Sequence, residues 1–221
     1  MGLVLILAGL AQGWDRYQVI DLGTLGGDES WAYGINDNGQ IVGQSQKSSS
    51  VYHAFLWESG TGMKDIYIPG TSMTGASDIN NAGQVVGPLG IGGAPAINKA
   101  YRWSESEGIT YLAPSLSTYA TAINSTGRVC GNIYPNNHGF YWDEAQGLTD
   151  INTLGGSLSD AHGINDANQV VGGSFTAQTK FHAFVWDSAN GMVDLLPGFP
   201  SSCAQDINNN GKIIGYLQYE G

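Results

Sequence analysis

The chain has 221 residues, 42% of them hydrophobic and 12% charged, with 33 glycines and a formal net charge of −11. So apolar a mixture excludes a disordered chain. The balance of 8 Lys plus Arg against 19 Asp plus Glu repels phosphate backbones and anionic lipid, which argues against nucleic-acid binding.

The N-terminal run Met1-Gly2-Leu3-Val4-Leu5-Ile6-Leu7-Ala8-Gly9-Leu10-Ala11 is apolar, with small residues where a secretory leader is cut. No basic residue precedes Arg16. Residues 1–13 therefore read either as a signal peptide or as a buried leader strand, and the run is too short to span a bilayer. Residues 14–221 read as one domain. Its first element, Tyr17–Leu22, has the pattern of a strand that closes a unit rather than opens one.

From Ala32 onward the motif Ala-x-x-Ile-Asn recurs five times. It ends at Asn36, Asn80, Asn124, Asn165 and Asn208, with spacings of 44, 44, 41 and 43 residues. Each copy leads into a turn such as Asp37-Asn38-Gly39, built from residues that tolerate the left-handed backbone of a tight hairpin. A β-branched segment follows and ends at Gly43, Gly87, Gly131, Gly172 or Gly215. Four units continue into an aromatic segment ending in Trp57, Trp103, Trp142 or Trp186, and eight residues later comes Asp65-Ile66, Tyr111-Leu112, Asp150-Ile151 or Asp194-Leu195.

Each unit thus predicts four short antiparallel strands, a to d. The units fall at approximately 23–66, 67–112, 113–151, 152–195 and 196–221, the last supplemented by 17–22. A two-faced apolar meander buries itself only by stacking on its neighbours. The expected fold is all-β: a five-bladed β-propeller closed by pairing of Tyr17–Leu22 with the C-terminal blade. An open β-repeat array is the alternative.

The triplets His53-Ala54-Phe55 and His182-Ala183-Phe184, with the Ile-Asn-x-x-Gly-Gln-Val-Val-Gly pattern and Asp21-Leu-Gly-Thr-Leu-Gly-Gly27, resemble the HAF-repeat family of extracellular bacterial proteins. Units two and three depart from the triplet, with Lys99-Ala-Tyr101 and His138-Gly-Phe140. The resemblance implies export and a repeat-built β fold, and transfers no catalytic residue.

Few residues point to chemistry. His53, His138 and His182 occupy equivalent places in different blades, too far apart to converge on a metal. The Asn/Asp turns lack the spacing of a calcium loop. Cys130 and Cys203 are expected as free thiols, and no metal or other cofactor is expected. Asp78 and Asp206 share a position near the end of strand a, where a glycosidase would need paired carboxylates.

The b–c loops vary in length on an otherwise constant frame, and so does the residue before the motif alanine. Recognition is therefore expected at Asp28, Glu29, Trp31, Tyr119, Asp160 and His162. Four functions follow: an exported, non-catalytic binding module at the cell surface, a lectin-like carbohydrate binder, a propeller glycoside hydrolase, or a structural repeat in a larger surface assembly. The expected partner is a carbohydrate or another surface protein.

Overall fold

The computed structural model describes residues 3–6, 18–71, 73–91 and 97–219. Every regular element in them is a β-strand. Strands β1 (Leu3–Ile6) and β2 (Gln18–Asp21) come first and pair with each other. Unit one comprises β3 (Ser30–Ile35), β4 (Ile41–Ser48), β5 (Val51–Glu58) and β6 (Gly62–Ile66). In unit two the first strand is split into β7 (Met73–Thr74) and β8 (Asp78–Ile79), followed by β9 (Val85–Ile91), β10 (Ile97–Ser104) and β11 (Gly108–Tyr111). Unit three is β12 (Ser117–Ile123), β13 (Val129–Tyr134), β14 (His138–Asp143) and β15 (Gly147–Asp150). Unit four is β16 (Gly155–Ile164), β17 (Val170–Thr176), β18 (Phe181–Asp187) and β19 (Gly191–Asp194). Among the described residues unit five has β20 (Ser201–Ile207) and β21 (Ile213–Gln218).

Within each complete unit the strands form an up-and-down antiparallel meander in chain order, as the repeat requires. A parallel bridge from Tyr52 to Met73 joins units one and two into one sheet. Strand a of each unit lies against strand a of the next, so the a strands form the inner wall of the stack.

That inner strand carries a bulge in the same place in four units, and in unit two it is interrupted there, between β7 and β8. Ala32 faces Gly43 and Gly34 faces Val42, which leaves Tyr33 as the extra residue; Thr121, His162 and Gln205 are its counterparts. The glycine that ends each b segment exists for this bulge. A Cβ on Gly43, Gly87, Gly131, Gly172 or Gly215 would lie 1.9, 2.1, 2.0, 1.8 or 2.1 Å from the carbonyl oxygen of the residue before the motif alanine. Only a residue without a side chain admits that carbonyl.

The asparagine of the motif ties one unit to the next. Asn36 Oδ1 accepts the backbone N–H groups of Asn38 and Gln40 and so holds its own turn. Its Nδ2 donates to Gln40 Oε1 and to the backbone oxygen of Asn80. Asn80, Asn124 and Asn165 donate in the same way to Asn124, Asn165 and Asn208, at 3.0, 3.0 and 3.3 Å. A second stitch runs from strand c to the next strand a: Ala54, Ala100, Gly139 and Ala183 N–H groups donate to the buried hydroxyls of Thr74, Thr118, Ser159 and Ser202. Buried main-chain donors must find partners, and small hydroxyls supply them here without taking space from the apolar junctions.

Those junctions are the core. Val42, Ala54, Leu56 and Ile66 of unit one cluster with Ala76, Ile79 and Val85 of unit two, and the later junctions repeat the scheme. Ile79, Ile123, Ile164 and Ile207 are 4–7% exposed. Burying one such side chain contributes about 1.5–3 kcal/mol.

The expected closure is not present among the described residues. β2 pairs with β1 and β21 pairs only with β20, so the Tyr17–Leu22 segment does not complete the C-terminal unit; Tyr17 itself lies outside the described residues. The register shows what the leading strands are. Leu3 faces Asp21 as Phe55 faces Asp65, Phe140 faces Asp150 and Phe184 faces Asp194, so β1 and β2 pair as strands c and d of a unit. What is missing among the described residues is the pairing of β1, as a strand c, with β21, the strand b of unit five. Both ends of the stack stay uncovered: Ile35 is 58% exposed and Ile214 65% exposed, whereas their internal counterparts are buried. Of the leader expected over 1–13, only Leu3–Ile6 lies within the described residues, as strand β1. No helix among the described residues is long and apolar enough to cross a membrane.

Candidate binding site on the inner strands

A bulge turns one extra side chain off the regular alternation of its strand. The four bulge positions and the matching residue in the break of unit two carry five different residues: Tyr33, Thr121, His162 and Gln205, and Ser77. Tyr33, Ser77 and Thr121 line a cavity of about 380 Å³ between units one, two and three. Tyr119 and the side chains of Gln44 and Asn98 complete its polar wall, with Met73 and Pro88 adding apolar surface. Among the described residues no Asp, Glu, Lys, Arg or His lines it. The cavity lies where strand a begins and strand b ends, the side from which the variable b–c loops emerge.

Tyr33 is 59% and Tyr119 38% exposed, so both rings present a face to solvent. The Tyr119 phenol has its pKa raised, first by desolvation and then by neighbouring Tyr33 and Tyr134. It is a neutral donor and acceptor at any physiological pH. Thr121 Oγ1 donates to the Ala161 carbonyl at 3.0 Å and lies 3.4 Å from Cys130 Sγ, so its hydroxyl is tied to the wall behind the cavity. Among the described residues the side-chain amides of Gln44 and Asn98 have no hydrogen-bond partner, in contrast to Gln40, which bonds Asn36 and Glu58.

The residues expected from sequence fall into three separate groups. Tyr119 lines the cavity. Trp31 stands beside Tyr52, ring centroids 5.9 Å apart, and the Tyr52 hydroxyl donates to Glu29 at 2.7 Å; Asp28 is anchored nearby through its backbone N–H to Gln46. The Glu29 bond is also the first cause of the raised Tyr52 pKa. Asp160 and His162 belong to the far side, where His162 Nδ1 lies 2.8 Å from the Ala204 carbonyl and 3.7 Å from Cys203 Sγ. Sequence reasoning missed Tyr33, Gln44, Ser77, Asn98 and Thr121. The signal was available one residue along: the position after the motif alanine varies as freely as the one before it.

Asp78 and Asp206 also sit on the inner wall, each over a glycine of the preceding unit. A Cβ on Gly34 would come within 3.3 Å of Asp78 Oδ1, and one on Gly163 within 2.8 Å of Asp206 Oδ1. Both oxygens of Asp78 accept backbone N–H groups, from Ile79 at 2.8 Å and from Ile123 of the next unit at 3.0 Å. Burial outweighs these bonds, and with some repulsion from Asp206 it raises the Asp78 pKa to about 6.

The three histidines of strand c bind within their own units: His53, His138 and His182 each place Nδ1 against the strand-d aspartate, Asp65, Asp150 and Asp194, at 2.9, 2.9 and 2.6 Å. In unit two both partners change together, to Lys99 and Tyr111, and Lys99 turns instead to the Pro114 and Leu116 carbonyls. Among the described residues no three His, Cys, Asp or Glu side chains gather as for a metal. The two cysteines are free and buried; burial pushes the Cys130 thiol up to about 12 and raises that of Cys203 as well, so neither is a ready nucleophile.

A family model of proteins of unknown function, DUF3466, matches residues 17–195. The chain belongs to the DUF3466 family. That match overturns the resemblance to HAF repeats, whose triplet rests on two of four units and follows from the His–Asp pairing inside each. No curated protein matches the DUF3466 chain. Among solved structures it is similar to TolB from Acinetobacter baumannii, with a TM-score of 0.56 and 12% identity over 87% of this chain and 56% of that one. It is also similar to puromycin hydrolase, with a TM-score of 0.51 and 13% identity over 83% of this chain and 33% of that one. The chain therefore spans about half of TolB and a third of the hydrolase. These likenesses establish a β-propeller-like fold and nothing about activity.

Proposed function

We propose that this DUF3466 protein is a non-catalytic, exported binding module on a five-unit propeller scaffold, whose ligand seats in the inner-wall cavity of units one to three. One observation carries the reading. A repeated close approach of glycine to the inner strand frames a different side chain in each unit, and three of these meet in a cavity with exposed aromatic surface and unpaired amides. Constant scaffold with variable presented groups is the usual design of a recognition surface.

A glycosidase reading has less support. General acid catalysis needs a carboxyl free to reach the glycosidic oxygen, and both oxygens of Asp78 are held by main-chain N–H groups.

A thermal-shift screen against a mixed library of small molecules, peptides and glycans tests this reading. Hits that lose their stabilisation in Tyr33→Ala and keep it in Trp31→Ala are expected. Turnover of a glycoside substrate that disappears in Asp206→Asn would overturn it.

A further inference from the structure

We infer that the cavity takes an uncharged saccharide, with Gln44 and Asn98 as the residues that read its hydroxyls. The inference rests on the binding reading above and adds the class of ligand.

The wall sets two chemical requirements at once. Tyr33 and Tyr119 offer exposed ring faces, and Met73 and Pro88 extend the apolar surface between them. A ligand that fills this space needs an apolar face of its own. Gln44, Asn98, Thr121, Ser77 and the two phenols surround that surface with neutral donors and acceptors. An entirely apolar ligand would strip water from the two unpaired amides and return nothing. A pyranose ring meets both demands: its C–H face packs on an aromatic ring, and its equatorial hydroxyls each donate and accept. A side-chain amide offers one acceptor oxygen and two donor hydrogens, the complement of neighbouring hydroxyls.

Charge narrows the class further. Among the described residues no ionised side chain lines the cavity, so a carboxylate, phosphate or ammonium group would be desolvated without a counter-charge. The chain's net charge of −11 repels anions at longer range as well. Uronates and sialylated sugars are thereby disfavoured. A peptide finds little main-chain purchase on the Pro88 side, because β9 is already paired along both edges. The volume, about 380 Å³, lies in the range of small-ligand sites.

The test is calorimetric titration of the full chain with fragments of β-1,4-glucan, α-1,4-glucan, mannan and chitin, with oligogalacturonate, and with neutral peptides of similar size. At least one neutral oligosaccharide is expected to bind. Its affinity should fall at least tenfold in Gln44→Ala and in Tyr119→Ala and stay within twofold in Trp31→Ala, which lies outside the cavity. All three side chains are partly exposed, and circular dichroism confirms that each variant folds. If only oligogalacturonate or a peptide binds and Tyr119→Ala abolishes it, the saccharide inference falls while the binding site stands. If no probe binds in a Tyr119-dependent way, both fall.

Discussion

The carbonyl oxygen of Trp31 approaches Gly43 so closely that it occupies the place where a Gly43 side chain would be, 1.9 Å from an ideal Cβ. The same contact recurs between Gly131 and Tyr119, at 2.0 Å. Because the obstacle is backbone, it cannot swing aside. Gly131→Ala is expected to cost about 2–4 kcal/mol, or to remove the bulge at Thr121. Gly198→Ala, with nothing within 4 Å of its Cβ, should stay within about 0.5 kcal/mol of wild type. Urea denaturation of the two variants provides the comparison.

The asparagine ladder predicts a difference between its middle and its end. Asn80→Asp keeps the oxygen that holds the turn and loses the donor to the Asn124 carbonyl. An acceptor then faces buried acceptors, at a cost of about 2–3 kcal/mol. Asn208 is exposed, and among the described residues its Nδ2 has no partner, so Asn208→Asp should change stability by less than about 0.5 kcal/mol. Thermal unfolding at neutral pH reads the difference directly.

Much of this fold was legible because each repeated residue answers a local need. The Ile-Asn pair sets the buried junction and the ladder, the Gly closing strand b admits the bulge, and the turn positions need a left-handed backbone. Asn168, at a φ of 61°, shows the last point, since it stands where other units have glycine. The ends were not legible. Whether β2 meets β21 or β1 depends on long-range geometry that a period of some 44 residues does not encode. The cavity was half legible: variability before the motif alanine found Tyr119, while the residue after that alanine, Tyr33 in unit one and Thr121 in unit three, was passed over because a bulge cannot be read from strand alternation.

The buried carboxyl predicts a pH dependence of stability. Asp78 titrates near pH 6 in the folded chain and near the ordinary value of 3.8 when unfolded. Between these values the folded state holds the extra proton, so stability falls as pH rises from about 4 to about 6 and levels off above. The full effect is on the order of 3 kcal/mol. Asp78→Asn should flatten this part of the profile in denaturation curves taken between pH 3.5 and 7.5. An unchanged slope would show that Asp78 is not its source.

The open ends predict unequal tolerance at equivalent positions. Ile79→Asp places a charge in the sealed junction of units one and two and is expected to unfold the chain or to cost more than about 4 kcal/mol. Ile35→Asp, at 58% exposure, should cost less than about 1 kcal/mol. Comparable losses at both sites would mean that Ile35 is covered in solution, by the trailing face of unit five or by another molecule.

The central claim is that recognition occurs at the inner-wall bulges and not on the turn face. Side-chain amide resonances of a ¹⁵N-labelled sample, followed while a neutral oligosaccharide is titrated in, test it most directly. The Gln44 and Asn98 signals should shift first and furthest, with Asn81 and Asn209 of the a–b turns stationary. Shifts at Asn81 and Asn209 with Gln44 and Asn98 unmoved would contradict the account.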